Sequence, residues 1–273
     1  MQEKQQEPRK HNSIRTAIIY LLIVGILIIV AIVIRVIFLM FHTSYDGKHQ
    51  YIVAITRSAK QADIIAFSPD ADEANKIRVL QVKGVFRPRN LSRQIGIPID
   101  AQIDYTQGKE IKLKDTMKDI FFRFHLLPVS EQMNVMDAFR LMLFAGGVKE
   151  ADIIQKTVIL PLSEDAQHQL KNFFQDKTIF SEGLSITVIN ATGRSGIGNS
   201  FGKILSHVGA NVIAVDTAET ERELTTIEYS GFGGWTIQRL EKLLAIKANK
   251  VKKTGFSDII ITIGKRSLYL PIF

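Results

Sequence analysis

Arg87, Arg89 and Arg93 fall within seven residues, with Pro88 between the first two. Guanidinium groups this close form either a solvated loop or an anion site, because the guanidinium fork matches phosphate and carboxylate oxygens. A second candidate is the glycine-rich stretch 191–198 (ATGRSGIG), which follows a β-branched run and precedes a helical pattern, with Asp216 eighteen residues after Gly198. That order suits a dinucleotide fold, in which a helix N-terminus receives the pyrophosphate. The spacing departs from G-x-G-x-x-G: counted from Gly196 and Gly198, Phe201 holds the third position and Gly202 comes one residue late. The phosphate-loop pattern fails as well, since Ile204 stands where Ser or Thr is needed. A strand-to-helix turn that needs glycine flexibility is the favoured reading. Other catalytic patterns are missing. The six histidines show no H-x-x-x-H pair, there is no G-x-S-x-G elbow, and Ser195 beside Gly196 reads as turn chemistry. Asp70 and Asp72 sit in a loop of ordinary turn composition. The chain has no cysteine, which excludes disulfides, a thiol nucleophile and Cys-ligated metals.

These residues must be positioned by the rest of the chain, and one stretch sets its plan. Residues 16–34 (TAIIYLLIVGILIIVAIVI) carry no charge and no proline. As a helix they span roughly 28 Å, close to the ~30 Å hydrocarbon core of a bilayer. The apolar run continues past Arg35 to Phe41. It is longer than a signal-peptide core and lacks a small-residue cleavage site, so it reads as an uncleaved anchor. Lys4, Arg9, Lys10 and Arg15 precede it, which predicts a cytoplasmic N-terminus and an extracytoplasmic remainder. The expected organisation is a cytoplasmic tail at 1–15, a transmembrane helix at 16–41, and two extracytoplasmic α/β domains at 42–180 and 184–265. The first 13 residues are too short and too charged to fold. The formal net charge of +8 fits solubility and attraction to an anionic surface. No zinc-finger spacing, RNA-binding signature or long basic block is present, so no nucleic-acid partner is expected.

In the first domain, strands are predicted at 51–55 (YIVAI), 63–67 (DIIAF) and 76–85 (KIRVLQVKGV), the last two joined as a hairpin by a turn-rich loop. A short strand is expected at 109–113 and a helix at 113–124, with Met117, Ile120, Phe121 and Phe124 inward. Ser130 is a candidate N-cap for a helix running to Phe144 and stopped by Gly146-Gly147, with Met133, Met136, Phe139 and Leu143 as its apolar stripe. A strand at 153–162 and a helix at 166–176 follow, and 175–183 reads as a domain boundary. Asp63-Ile64-Ile65 and Gly96-Ile97-Pro98-Ile99-Asp100 resemble two segments of the LytR-CpsA-Psr envelope family, whose members carry an N-terminal anchor and an extracellular α/β domain. The family's I-P-R-D motif supplies an arginine and an aspartate to a pyrophosphate and metal site. Arg87-Pro88-Arg89-Asn90 is the nearest match; it keeps the proline and the arginine and has an amide in place of the aspartate. The resemblance implies Asp63 and Arg89 as remnants of a phosphate site. With Arg87 and Arg93 they form the candidate ligand-binding set.

The region 184–265 alternates clearly. Strands are predicted at 185–190, 211–215, 225–229 and 258–263. Helices are predicted after the glycine turn, with Phe201, Ile204, Leu205 and Val208 on one face, and at 235–246. The result is a β-α-β-β-α-β sandwich of about 80 residues. Ile186–Gly193 (ITVINATG) with Gly196, then Leu205 and Gly209, Thr225–Tyr229 (TTIEY), and Asp258-Ile259 through Gly264 closely resemble the LytR C-terminal domain. The family implies extracellular work on the cell envelope. The expected function is therefore a membrane-anchored envelope protein that binds or organises cell-wall polymer or a protein partner without catalysis or cofactor. The alternatives are a transferase of lipid-linked glycopolymer, which would use magnesium, and a nucleotide-binding domain at 184–265.

Overall fold

The computed structural model describes residues 10–41, 43–70, 74–106, 112–127, 129, 133–171, 173–270 and 272–273. Residues 10–44 and 45–273 form two separate units. The first is one helix, α1 (Lys10–Phe41). Its stretch Thr16–Arg35 is long and apolar enough to cross a membrane, and none of it is buried. The expected tail at 1–13 lies mostly outside the described residues.

The second unit holds two mixed sheets. The first contains β1 (Tyr51–Ser58), β2 (Gln61–Ser68), β3 (Lys76–Lys83), β4 (Ala101–Asp104) and β5 (Ile153–Ile159), in the order β4-β1-β2-β3-β5. β1, β2 and β3 form an antiparallel meander, while β4 and β5 add in parallel at the two edges. Alternation along β2 sends Ile65 and Phe67 to one face and Ile64 and Ala66 to the other. The first face packs under α3 (Leu113–Phe122) and α4 (Val135–Gly147), through Met117, Ile120, Ala138 and Leu141. The opposite face takes α2 (Leu91–Ile95), which occupies part of the arginine-rich stretch read as a solvated loop or an anion site. α5 (Glu164–Lys171) and α6 (Lys177–Glu182) follow β5.

Two expectations are corrected here. α4 begins at Val135 with Asn134 as its cap: Asn134 accepts from the N–H groups of Met136 and Asp137, and Asp137 accepts back from the Asn134 N–H at 2.9 Å. Its inward face is Ala138, Leu141 and Ala145, whereas Phe139 and Leu143 are exposed. α4 is apolar nearly all round, so periodicity alone cannot fix which face turns inward. The helix expected at 166–176 is α5, which starts at Glu164 and ends at Lys171; Phe173 and Phe174 lie in the link to α6, where their edge-to-face pair is buried. Ser130 and most of the strand expected at 109–113 lie outside the described residues.

The second sheet contains β6 (Ser185–Asn190), β7 (Asn211–Thr217), β8 (Thr226–Tyr229), β9 (Asn249–Lys250) and β10 (Ile259–Ile263), in the order β7-β6-β10-β8-β9. Helices α7 (Ile197–His207) and α8 (Trp235–Leu244) bury Phe201, Ile204, Leu205, Ile237 and Leu240 against Ile186, Val188, Ile259 and Ile261. The predicted sandwich is present, with β9 as an added edge. Its helices also reach across: Val208 and Trp235 share one apolar cluster with Ile64, Leu80, Leu91 and Ile179.

Candidate functional site

The β1–β2 hairpin sets Ile55 opposite Asp63. Arg57, two residues on, faces the same side, so it is the diagonal neighbour of Asp63. Its Nε donates to Asp63 Oδ2 at 2.5 Å, and both side chains are largely buried. Asp63 Oδ1 is also buried, and it has no hydrogen-bond partner among the described residues. Leaving such an acceptor unpaired costs about 1–3 kcal/mol, which a ligand donor would recover. Beyond β4, the Tyr105 ring lies 5.9 Å from the Arg57 guanidinium. Its hydroxyl donates to Asp119 of α3, which also accepts from Arg123 at 3.3 Å. Burial, then the hydrogen bond to Asp119 and its charge, push the Tyr105 phenol above its ordinary range. The phenol therefore stays protonated as a donor. A chain of polar contacts thus runs from Asp63 through Arg57, the neutral Tyr105 and Asp119 to Arg123.

The sheet separates Asp63 from Arg93, two members of the candidate set. Asp63 shares the face of Ile65 and Phe67, while Leu91 and Ile95 anchor α2 on the opposite face. Arg87 is exposed ahead of a short turn, Pro88–Asn90. Arg93 is exposed on α2 and donates to the Phe273 carbonyl at 3.4 Å. Arg89 lies in the turn, and its side chain is outside the described part. Among the described side chains, Asp63 is thus joined by Arg57 and not by Arg93. The signal for this pair was the tight turn between β1 and β2, which puts residues 57 and 63 on one face. As for magnesium, Asn90 occupies the expected acid's position and Asp63 is held by a guanidinium, so the donors present do not fit the ion.

The glycine turn is held by its own side chains. Asn190 accepts from the Thr192 N–H (3.1 Å) and hydroxyl (2.7 Å) and donates to the Arg194 carbonyl (2.8 Å). Thr192 Oγ1 in turn accepts from the Arg194 N–H. Gly198 lets α7 approach β7 closely: a Cβ there would lie 3.0 Å from Val215 Cγ1 and 3.2 Å from Asn190 Cβ. Packing accounts for this glycine without a ligand.

Polar groups also converge where the two sheets meet. Arg239 of α8 pairs through both guanidinium arms with Asp100, whose Oδ2 accepts from the Ile52 N–H at 2.7 Å. Burial opposes the Arg239 charge, but Asp100 more than offsets this and raises its pKa. Glu182 caps α8 from outside, accepting from the N–H groups of Trp235 (2.6 Å) and Thr236 (2.8 Å). Asp176 caps α6 and accepts from the Trp235 indole at 3.0 Å, while the His49 ring stacks on that indole at 3.7 Å. His207 donates through Nδ1 to the Gly96 carbonyl at 2.6 Å. Beside His207 opens a surface cleft of about 480 Å³ lined by Glu164, Gln167, His168, Lys203 and Ser206.

Residues 183–266 match the family model LytR_C, described as LytR cell envelope-related transcriptional attenuator, which bears out the resemblance read from residues 184–265. No curated protein and no solved structure is matched by the chain.

Proposed function

We propose that this chain is a single-pass membrane protein of the cell envelope, with its N-terminus cytoplasmic and residues 45–273 outside. There it binds or organises cell-wall polymer or a protein partner without catalysing polymer transfer. The observation that carries the reading is the match of 183–266 to an envelope-related domain in a chain that begins with a membrane-length apolar helix. The surface cleft at Gln167, His168 and Lys203, with room for a small polar group, is the place on residues 45–273 where such a ligand is sought first. The separation of Asp63 from Arg93 argues against one pyrophosphate site built from both. Reporter fusions at Met1 and Phe273 test the topology, with the first expected inside and the second outside. Purified protein should co-sediment with isolated cell walls and leave a lipid-pyrophosphate glycan unchanged in the presence of magnesium. A cytoplasmic C-terminus would refute the reading, and turnover of the glycan would replace it with a transferase.

A further inference from the structure

The outward face of α4 is apolar where a surface helix normally carries charge. Its exposed side chains are Phe139 and Leu143, at 36% and 55% exposure, followed by Gly146 and Gly147. Its two charged residues turn elsewhere: Asp137 is fully buried, and Arg140 Nη1 donates to the Tyr45 carbonyl at 2.8 Å. The patch continues onto the neighbouring helix. Phe139 packs on Phe121, which packs on Phe122, the exposed last residue of α3. Leu126, just beyond α3, is 77% exposed. Apolar surface gathered in this way marks a contact site.

The chain itself indicates what covers it. Tyr45 is fixed to α4 at both backbone groups: its N–H donates to Asp137 Oδ1 at 2.9 Å, and its carbonyl accepts from Arg140. Its ring also meets Phe144 edge-on. Only residues 42–44 separate Tyr45 from Phe41, the end of α1. Four Cα steps of 3.8 Å allow at most about 15 Å between those two residues. If α1 spans the bilayer, as proposed above, this short link tethers Tyr45, and through it α4, to the side of the membrane on which α1 ends.

We propose that the outward face of α4, with Phe122 and Leu126, rests in the headgroup layer of the bilayer that α1 crosses. It forms a second, peripheral membrane contact that restricts how residues 45–273 stand on the surface. Phe139 and Leu143 enter the boundary between headgroups and acyl chains, as the apolar face of an interfacial helix does.

The absence of cysteine makes single-site labelling direct. The full chain is placed in nanodiscs of phosphatidylethanolamine and phosphatidylglycerol, with one environment-sensitive fluorophore at Leu143→Cys, at Phe256→Cys as an exposed control, or at Ile23→Cys within α1. The Leu143 probe should emit to the blue of the Phe256 probe. Nitroxide-bearing lipid should quench it severalfold more strongly than the Phe256 probe. Equal, water-like behaviour at 143 and 256 while position 23 reports lipid would overturn this inference and leave the anchor reading standing. A water-like probe at position 23 would instead refute the anchor, and this inference with it. A shielded Leu143 probe that lipid nitroxide does not quench, and that opens on dilution, would make the face a contact between copies of the chain and also overturn the inference. Leu143→Glu should abolish the lipid quenching of a probe at Leu126→Cys with the circular dichroism spectrum unchanged; persistence of that quenching counts against the contact.

Discussion

Arg239 and Asp100, 139 residues apart, form a buried two-armed ion pair, with Arg239 Nη2 at 2.8 Å from Asp100 Oδ2. Asp100 closes the segment Gly96–Asp100, which resembled an envelope-family motif, and Arg239 stands on α8 within the stretch that matches LytR_C. The acid of the first motif therefore serves to clasp the second sheet's helix. The segment's glycine does the same through its carbonyl, which accepts from His207.

Breaking this clasp on one side should be costly. Arg239→Met leaves a buried carboxylate without its counter-charge and should lose about 3–5 kcal/mol. Asp100→Leu combined with Arg239→Met removes both charges and should recover part of that loss. Trp235 is the only tryptophan in the chain and lies at the same seam, so its fluorescence in a urea titration reads the result. A loss below about 1 kcal/mol for Arg239→Met would place the pair with ordinary surface ion pairs.

Stability should fall on the acid side, and two carboxylates set the sign. Asp258 is held below its ordinary range chiefly by the Ser185 hydroxyl, then by the Ser185 N–H. Burial alone would raise Asp46, but the His49 ring and the N–H groups of Lys48 and His49 more than offset that and lower it. A depressed folded-state pKa contributes stability above the unfolded value of 3.8, and the contribution is lost as pH drops through the folded value. The melting temperature should thus decline mainly below pH 3.8. Ser185→Ala, which removes the 2.6 Å bond to Asp258, should lower it more at pH 7 than at pH 3. Equal loss at both values would mean that the bond acts independently of ionisation.

The sequence revealed elements whose pattern admits one reading. β6 and β10 are short β-branched runs, and α7 carries Phe201, Ile204 and Leu205 at helical spacing, with Val208 just past its end, beside a polar face, so type and orientation were both legible. α4 defeated the same logic because Phe139 and Leu143 continue an apolar surface around Leu141. The site was less legible still. Arg57 and Asp63 are six residues apart, yet their meeting depends on the hairpin register. Arg239 and Asp100 meet only through the packing of α8 beside the first sheet, and no local spacing encodes that. The arginine run 87–93 stood out in the sequence because its residues are adjacent, but α2 carries its end to the face opposite Asp63.

The glycine turn offers a test of packing against ligand binding. Gly198→Ala places a Cβ against Val215 and Asn190 and should destabilise by about 1–3 kcal/mol through overpacking. Val215→Ala in the same chain should restore part of the loss, since it removes the methyl groups at the contact. In a thermal melt, an adenine dinucleotide should leave the native protein unchanged, because a ligand that binds only the folded state must raise its stability. A melting temperature that climbs with dinucleotide concentration would return the turn to nucleotide binding.

The Arg57–Asp63 pair separates the two functional readings. As a structural pair, removing one partner strands the other in a buried setting. Arg57→Leu should then cost about 3–5 kcal/mol, whereas Arg57→Leu with Asp63→Leu should be close to the parent. Asp63→Asn keeps the shape, weakens the bond to Arg57 and gives the position that now holds the unpaired Oδ1 an amide that can be turned. Its cost should be smaller than that of Arg57→Leu, and co-sedimentation with cell walls should be unchanged. If Asp63→Asn leaves the urea midpoint intact but abolishes binding to walls or to a lipid-pyrophosphate glycan, then the free carboxylate oxygen is held for a ligand. The site would then lie on the α3–α4 side of the first sheet, on the face opposite α2.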